Sequence, residues 1–226
     1  ILNAVQFISQ AIINAMSPQI IKAEGNKDRK RMLSLSEVSC KYSYLLLAII
    51  VIPTCFEMPS ILSIWLGSIP VYTIFISRIL LISALVDQIS MGLGVANQAI
   101  GNIRNYSITI NTIKIITLPA IYILLYMGYE IQQTMWIYLA IEAVCSITRI
   151  PFLKYSAGLS VRHYITKVLL KISVPTILIV VACLLCTNIN ASSWRFLLTY
   201  IISMLTGAIS IWITALTRKE KEISLQ

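Results

Sequence analysis

Asp87, Lys114, Glu142 and Arg149 are ionisable side chains carried inside apolar runs of the sequence. An ionised group at mid-bilayer depth costs about 2.5 kcal/mol or more, so residues carried there hold a partner or handle a ligand. A carboxylate at that depth can take up a proton or a cation, and a base can grip an anion. At 1.5 Å per helical residue, Asp87 stands ~14 Å along the helix from Arg78 and Glu142 ~18 Å from Glu130, near the midplane in each case. Uncharged polar residues keep the same rhythm. Asn3, Gln6, Gln10, Asn14 and Ser17 recur at steps of three and four along the first run, which puts them on one helical face. Ser83, Asp87, Ser90, Gly94, Asn97 and Gly101 do so in the third run. Asn111, Lys114 and Thr117 follow in the fourth, and Glu142, Ser146 and Arg149 in the fifth.

Two arrangements suit these charges. In one, Asp87 pairs with Lys114 on a neighbouring helix and Glu142 with Arg149, and the pairs hold helices together. In the other, Lys114, Arg149 and the amide face of the first helix line a path for a polar, anionic headgroup, and Asp87 or Glu142 carries a coupling ion. Both need a shared polar interior between four helices.

The elements that must position these residues are spanning helices. Apolar runs at 1–22, 42–62, 72–98, 106–128, 131–152, 172–188 and 196–216 each approach the ~20 residues required to cross a bilayer. The expected fold is therefore all-α, a polytopic transmembrane helix bundle of seven spans. Of the 18 Lys and Arg residues, 16 lie in or flank one set of alternate connections and the tail, and only Arg78 and Arg195 lie opposite. By the positive-inside rule that set faces the cytoplasm, together with the C-terminus and its Arg218, Lys219 and Lys221. Met32 to Val38 in the first connection suits a helix lying on the interface. Pro59 to Gly67, with Trp65, suits a short outer elbow. Pro53, Pro119 and Pro175 interrupt the spans that run outward and permit bends there. Ser203, Gly207, Ser210 and Thr214 form a small-residue packing face in the last span.

Composition excludes a soluble domain: the chain is 58% hydrophobic and 12% charged, with mean hydropathy +0.82. The net charge of +9 lies on one side of the spans, so it serves topology and lipid headgroups and not nucleic acid. Cys183 and Cys186 sit in an apolar run without nearby histidine and read as small core residues. Asn190-Ala191-Ser192 matches a glycosylation sequon, a very short pattern. No catalytic residue, metal set or cofactor is expected. The first residue is Ile1, no signal peptide is legible, and an odd number of spans starting outside is expected for the C-terminal piece of a longer protein.

Several strings, in order, carry a resemblance: Pro18-Gln-Ile-Ile-Lys-Ala-Glu-Gly25 closing a span, Ile64-Trp-Leu-Gly67 followed by Pro70, Ala99-Ile-Gly-Asn-Ile-Arg-Asn-Tyr106 between spans, and Tyr122-Ile-Leu-Leu-Tyr-Met-Gly128. Together they resemble the C-terminal half of the lipid-linked oligosaccharide flippases of polysaccharide biosynthesis, within the multidrug/oligosaccharidyl-lipid/polysaccharide exporter superfamily. The resemblance implies a partial MATE-like second lobe of five spans (1–152), a cytoplasmic connection (153–171), and two appended helices with a basic tail (172–226). It implies a multi-pass transporter of the bacterial inner membrane. Its action would be to flip an undecaprenyl-pyrophosphate-linked repeat unit for capsule, O-antigen or exopolysaccharide synthesis by alternating access. Lys114, Arg149, Asn3, Gln6, Gln10, Asn14 and Asn97 would then meet the headgroup, and Asp87 and Glu142 would couple ions. The implied partners are the lipid-linked oligosaccharide, membrane lipids, a polysaccharide polymerase, a chain-length regulator and the N-terminal half of the same protein. A drug/cation antiporter or a peptidoglycan-precursor flippase would share this topology. A membrane-embedded polysaccharide-synthesis enzyme is a rival from another class, but one histidine, His163, and short outer connections leave little to build a catalytic site. His163, between Arg162 and Tyr164, suits a lipid-headgroup contact.

Overall fold

In hydrocarbon every backbone polar group must be satisfied within the protein, so long apolar runs become helices. The computed structural model describes residues 2–101, 103–188 and 195–215. Its elements are α1 (Leu2–Gly25), α2 (Arg29–Phe56), α3 (Met58–Leu66), α4 (Thr73–Gln88), α5 (Met91–Ala99), α6 (Ile103–Tyr126), α7 (Ile131–Ala157), α8 (Val161–Tyr164), α9 (Leu170–Thr187) and α10 (Arg195–Ser210). A π-helical turn, Ile165–Leu169, makes α8 and α9 one continuous rod, and another, Ile211–Ala215, prolongs α10. Five rods are long and apolar enough to cross a membrane: α2, α6, α7, α8–α9 and α10. Counting α4 and α5 as one bent span makes six. By helix length and hydropathy this is a multi-pass membrane protein. The first of the seven expected spans, α1, has 24 residues but does not join that set, because its amide row dilutes its apolar side.

Two expectations about local shape give way. The first connection holds no separate interfacial helix: Asp28 caps α2 by accepting from the Arg31 N–H at 3.1 Å, and the helix then runs unbroken to Phe56. Met32 and Ser36, expected at an interface, are buried. The third run is not straight either. It bends by 45° between α4 and α5, at Ile89 and Ser90 and not at a proline. Pro53, Pro119 and Pro175 all lie within helices that continue through them. The expected outer elbow is present as α3, with Trp65 exposed.

The connections alternate between two ends, and side-chain contacts show which ones meet. At one end Arg29, opening α2, donates to the Ser156 carbonyl near the close of α7 at 3.3 Å. Lys27 and Arg29 also border Ala99 and Ile100 at the close of α5. The lysine-bearing connections therefore gather at a single end. At the other end Phe75 meets Trp136 edge to face at 6.1 Å between ring centres. Between the ends, Leu45, Leu47, Val51 and Met58 form one core with Leu81, Ile172 and Ile179. Ser203, Gly207 and Ser210 are buried, as a small-residue packing face requires.

One close approach depends on glycine. A Cβ at Gly92 in α5 would lie 2.5 Å from the Ser36 backbone oxygen and 3.1 Å from the Cys40 nitrogen in α2. Gly92→Ala is expected to lower stability by about 1–3 kcal/mol through this overpacking. Gly25→Ala, where nothing lies within 4 Å, is expected to stay within about 0.5 kcal/mol. Thermal unfolding of the reconstituted protein reads both, and equal midpoints would contradict the packing.

Candidate functional site

The polar stripes of four helices converge on one cleft of about 380 Å³. Helix α1 contributes Gln10, Asn14 and Ser17, and α5 contributes Gly94 and Gln98. Tyr106, Asn111 and Lys114 enter from α6, and Arg149 from α7. Helices α1 and α6 form opposite walls without extensive packing on each other, whereas α5 packs on both and closes the floor. Gln10 Nε2 donates to Asn14 Oδ1 at 3.3 Å, so the amide row is linked along its own wall.

Glycine shapes the floor. A Cβ at Gly94 would lie 2.9 Å from the Tyr106 hydroxyl and 3.7 Å from Arg149 Cδ and Nε. Its absence lets the phenol and the guanidinium approach the α5 backbone together. Tyr106 is also fixed by Phe152, edge to face at 5.7 Å between ring centres.

The charges pair, but in the opposite sense to the expected one. Arg149 Nη2 meets Asp87 Oδ1 at 2.8 Å, and Lys114 Nζ meets Glu142 Oε2 at 3.6 Å. The expected pairs, Asp87 with Lys114 and Glu142 with Arg149, do not form. The bend after Asp87 turns its carboxylate and carbonyl toward Arg149 of α7, while Lys114 meets α7 about two turns before Arg149, at Glu142. The Arg149 side chain is only 5% exposed, against 42% for Lys114. One pair is thus a buried bond across helices and the other a half-open bond at the cleft wall.

Arg149 also holds the bend itself. Its Nη1 donates to the Asp87 carbonyl and to Ser90 Oγ, both at 3.2 Å. Ser146 Oγ donates to the Val86 carbonyl at 2.9 Å and lies 2.8 Å from Ser90 Oγ. The Tyr164 hydroxyl, from α8, donates to the Ile89 carbonyl. Side chains from two other rods thereby take up the carbonyls around the break, as buried backbone requires. Broken helices in this setting are a recurrent way to build ion and substrate sites.

The remaining candidates divide. Asn97 is buried and donates its amide to the Arg149 carbonyl at 3.1 Å, which makes it a brace and not a cleft residue. Gln6 does not line the cleft, although its carbonyl accepts from Ser9 Oγ at 3.0 Å. The Asn3 side chain, the Asn190 sequon and the tail bases Arg218, Lys219 and Lys221 lie outside the described residues. Thr117 is buried outside the lining. Asp87 and Glu142 reach the cleft only through the bases they hold.

A second buried acid escaped the sequence reading. Glu57, at the corner between α2 and α3, is wholly buried. It accepts from Arg195 Nη2 at 3.3 Å, Thr199 Oγ1 at 3.0 Å and Ser60 Oγ at 3.1 Å. Beside it, Arg78 Nε donates to the Cys55 carbonyl at 2.7 Å. The two bases that stand apart from the rest thus clamp one corner. Their isolation in the charge count was the available signal.

No family model matches the chain, and no curated protein or solved structure matches it.

The two charge pairs differ in what their loss should do. Asp87→Asn leaves Arg149 buried and unpaired, and is expected to cost about 3–5 kcal/mol. Glu142→Gln is expected to cost at most about 1 kcal/mol, since Lys114 can reach solvent. Thermal unfolding of single variants and of the Asp87→Asn/Arg149→Gln double variant checks this. Losses that simply add in the double variant would show the two residues to be uncoupled.

Proposed function

We propose that this chain serves in a transporter that carries a lipid-linked oligosaccharide across the bacterial inner membrane by alternating access. The cargo class is the undecaprenyl-pyrophosphate-linked repeat unit of capsule, O-antigen or exopolysaccharide synthesis, consistent with the family resemblance of the ordered strings. One observation carries the reading: polar faces of α1, α5, α6 and α7 meet in a single cleft that holds two bases. Pyrophosphate and sugars cannot enter hydrocarbon unaided, so a carrier must offer them amides, hydroxyls and positive charge. Gln10, Asn14, Gln98 and Asn111 supply the amides, and Lys114 and Arg149 the charge. A cleft whose walls α1 and α6 stand apart lets a prenyl tail remain in lipid while the headgroup enters.

The ion pairs suggest how an ion could be coupled. An anionic headgroup competes with Glu142 for Lys114 and with Asp87 for Arg149. Each carboxylate it displaces becomes available to a proton or cation, so cargo and ion bind in linked fashion. Lys114 is the accessible member and the one from which exchange starts. Under the positive-inside rule the lysine-rich end faces the cytoplasm, so the cleft would load from that side. This chemistry needs no covalent step, and the chain is proposed to be a transporter and not an enzyme.

Lys114→Ala is expected to lower surface polymer about tenfold or more, the worth of one charge-assisted contact, with protein still inserted in the membrane. Lys114→Arg should restore much of it. Polymer measured on intact cells against membrane protein level is the test. Unchanged export in the alanine variant would overturn the reading, and loss of hydrophobic-cation efflux in its place would indicate an antiporter.

A further inference from the structure

A second cavity, of about 360 Å³, lies between the close of α5, the first turn of α6 and the last turns of α7. That volume falls within the roughly 300–1,000 Å³ of small-molecule sites. Tyr106, Phe152 and Tyr155 border it with aromatic rings, Asn97 and Asn105 bring carboxamides, and Ser156 completes the polar side. We propose that this cavity binds a pyranose ring and is a loading subsite for a sugar of the cargo. The proposal rests on the transport reading for the source of that sugar, and not for the binding itself.

Chemistry is the first argument. A pyranose presents C–H bonds with slight positive charge on its faces, and an aromatic ring offers such groups its negative π face. The edges of the sugar carry hydroxyls, each a donor and an acceptor, and a carboxamide answers both functions. The cavity brings both kinds of partner together. Tyr106 and Phe152 are set edge to face at 5.7 Å between ring centres. Asn97 is buried and fixed by donating to the Arg149 carbonyl at 3.1 Å. Asn105 and Tyr155 are exposed and can adjust to a guest. One side of the cavity is thus rigid and the other adaptable.

Position is the second argument, independent of the first. Tyr106 also lines the cleft, so its ring is a partition between the two spaces. The residue is 6% exposed, and its hydroxyl lies against Gly94 on the cleft floor. On the other side, the Ser156 carbonyl accepts from Arg29 at 3.3 Å, at the lysine-rich end. The cavity therefore stands between that end and the cleft, with one aromatic ring before the amides of Gln98 and Asn111. A sugar held here reaches those amides once the Tyr106 ring swings aside.

The test uses the full chain in phosphatidylcholine nanodiscs and a decyl glucoside that carries a diazirine on its sugar. After photolysis, cross-links are expected within residues 97–106 and 151–156. Unlabelled decyl glucoside should suppress them, and a decyl oxyethylene ether should not. The double variant Asn105→Ala/Tyr155→Ala changes two exposed positions and should weaken this labelling about tenfold. Tyr126→Ala, at an exposed aromatic further along α6, should leave it unchanged. Equal suppression by the sugar-free ether would show a groove for alkyl chains. Displacement by tetraphenylphosphonium and not by glucoside would show an aromatic site for cations. Either result, or labelling unaltered in the double variant, would overturn the proposal. Because no export is measured, sugar binding alongside export indifferent to Lys114 would leave the subsite standing and remove the transport reading. Absent binding alongside Lys114-dependent export would do the reverse.

Discussion

A helix that breaks inside a packed bundle must find new partners for the carbonyls at its break, and this bundle is organised around that demand. The break falls between α4 and α5. Arg149, Ser146 and Tyr164 reach it from two other rods and accept the role that water plays elsewhere. Arg149 does two things at once. It bonds the Asp87 carbonyl through Nη1 and the Asp87 carboxylate through Nη2. Charge pairing and backbone satisfaction therefore rest on one guanidinium, and α7 cannot shift along α4 without loosening both. Asn97 in turn holds the Arg149 backbone from α5, so the arms of the bend are tied to the same residue.

The cleft follows from this arrangement. Bending α5 away from the line of α4 takes Gly94 and Gln98 beneath the gap between α1 and α6. With a straight third span, the polar positions of α5 would continue the stripe of α4. Glycines at 92 and 94 make the displaced helix tolerable: one admits the α2 backbone and the other admits Tyr106 and Arg149. The same residues that bring the floor close also keep it narrow. Only Lys114, on the outer wall, retains freedom to leave its partner.

Much of this was legible from residue spacing. Helical class, the confinement of basic residues to one set of connections and the convergence of four polar faces all come from periodicity and charge, which act at the scale of a single helix. Gln10, Asn14, Lys114 and Arg149 do line one space, as their register predicts. What spacing could not deliver was pairing. Register places Asp87 and Arg149 on inward faces, but the choice of partner depends on the bend, and the bend depends on side chains 56 and more positions away. Asn97 shows the same limit: its position faces inward, and its amide is taken up by the Arg149 carbonyl. Glu57 carries no comparable signal, because one acid near a proline reads as a loop. Its burial depends on Arg195 and Thr199, far along the chain.

The two ends of the bundle differ in how they are held, and that difference bears on motion. At the Glu57 corner, Arg195 ties α10 to the wholly buried Glu57 at the close of α2, and Arg78 ties α4 to the neighbouring Cys55 carbonyl; breaking the buried ion pair would leave an uncompensated charge. At the lysine-rich end the described cross-rod contacts include the exposed Arg29 bond and the His163–Glu37 pair, in which the imidazole is largely open to solvent. Such contacts carry little energy and exchange readily. Helix α6 packs mainly on α7 and on a short part of α5, and Lys114–Glu142 is a half-open ionic link of that wall. A wall attached so lightly can move while the Arg149 junction and the Glu57 corner keep their shape. The rigid parts of the molecule are thus those that satisfy buried backbone and charge, Arg149 among them, and the α6 wall with Lys114 is the side of the cleft held by a half-open pair.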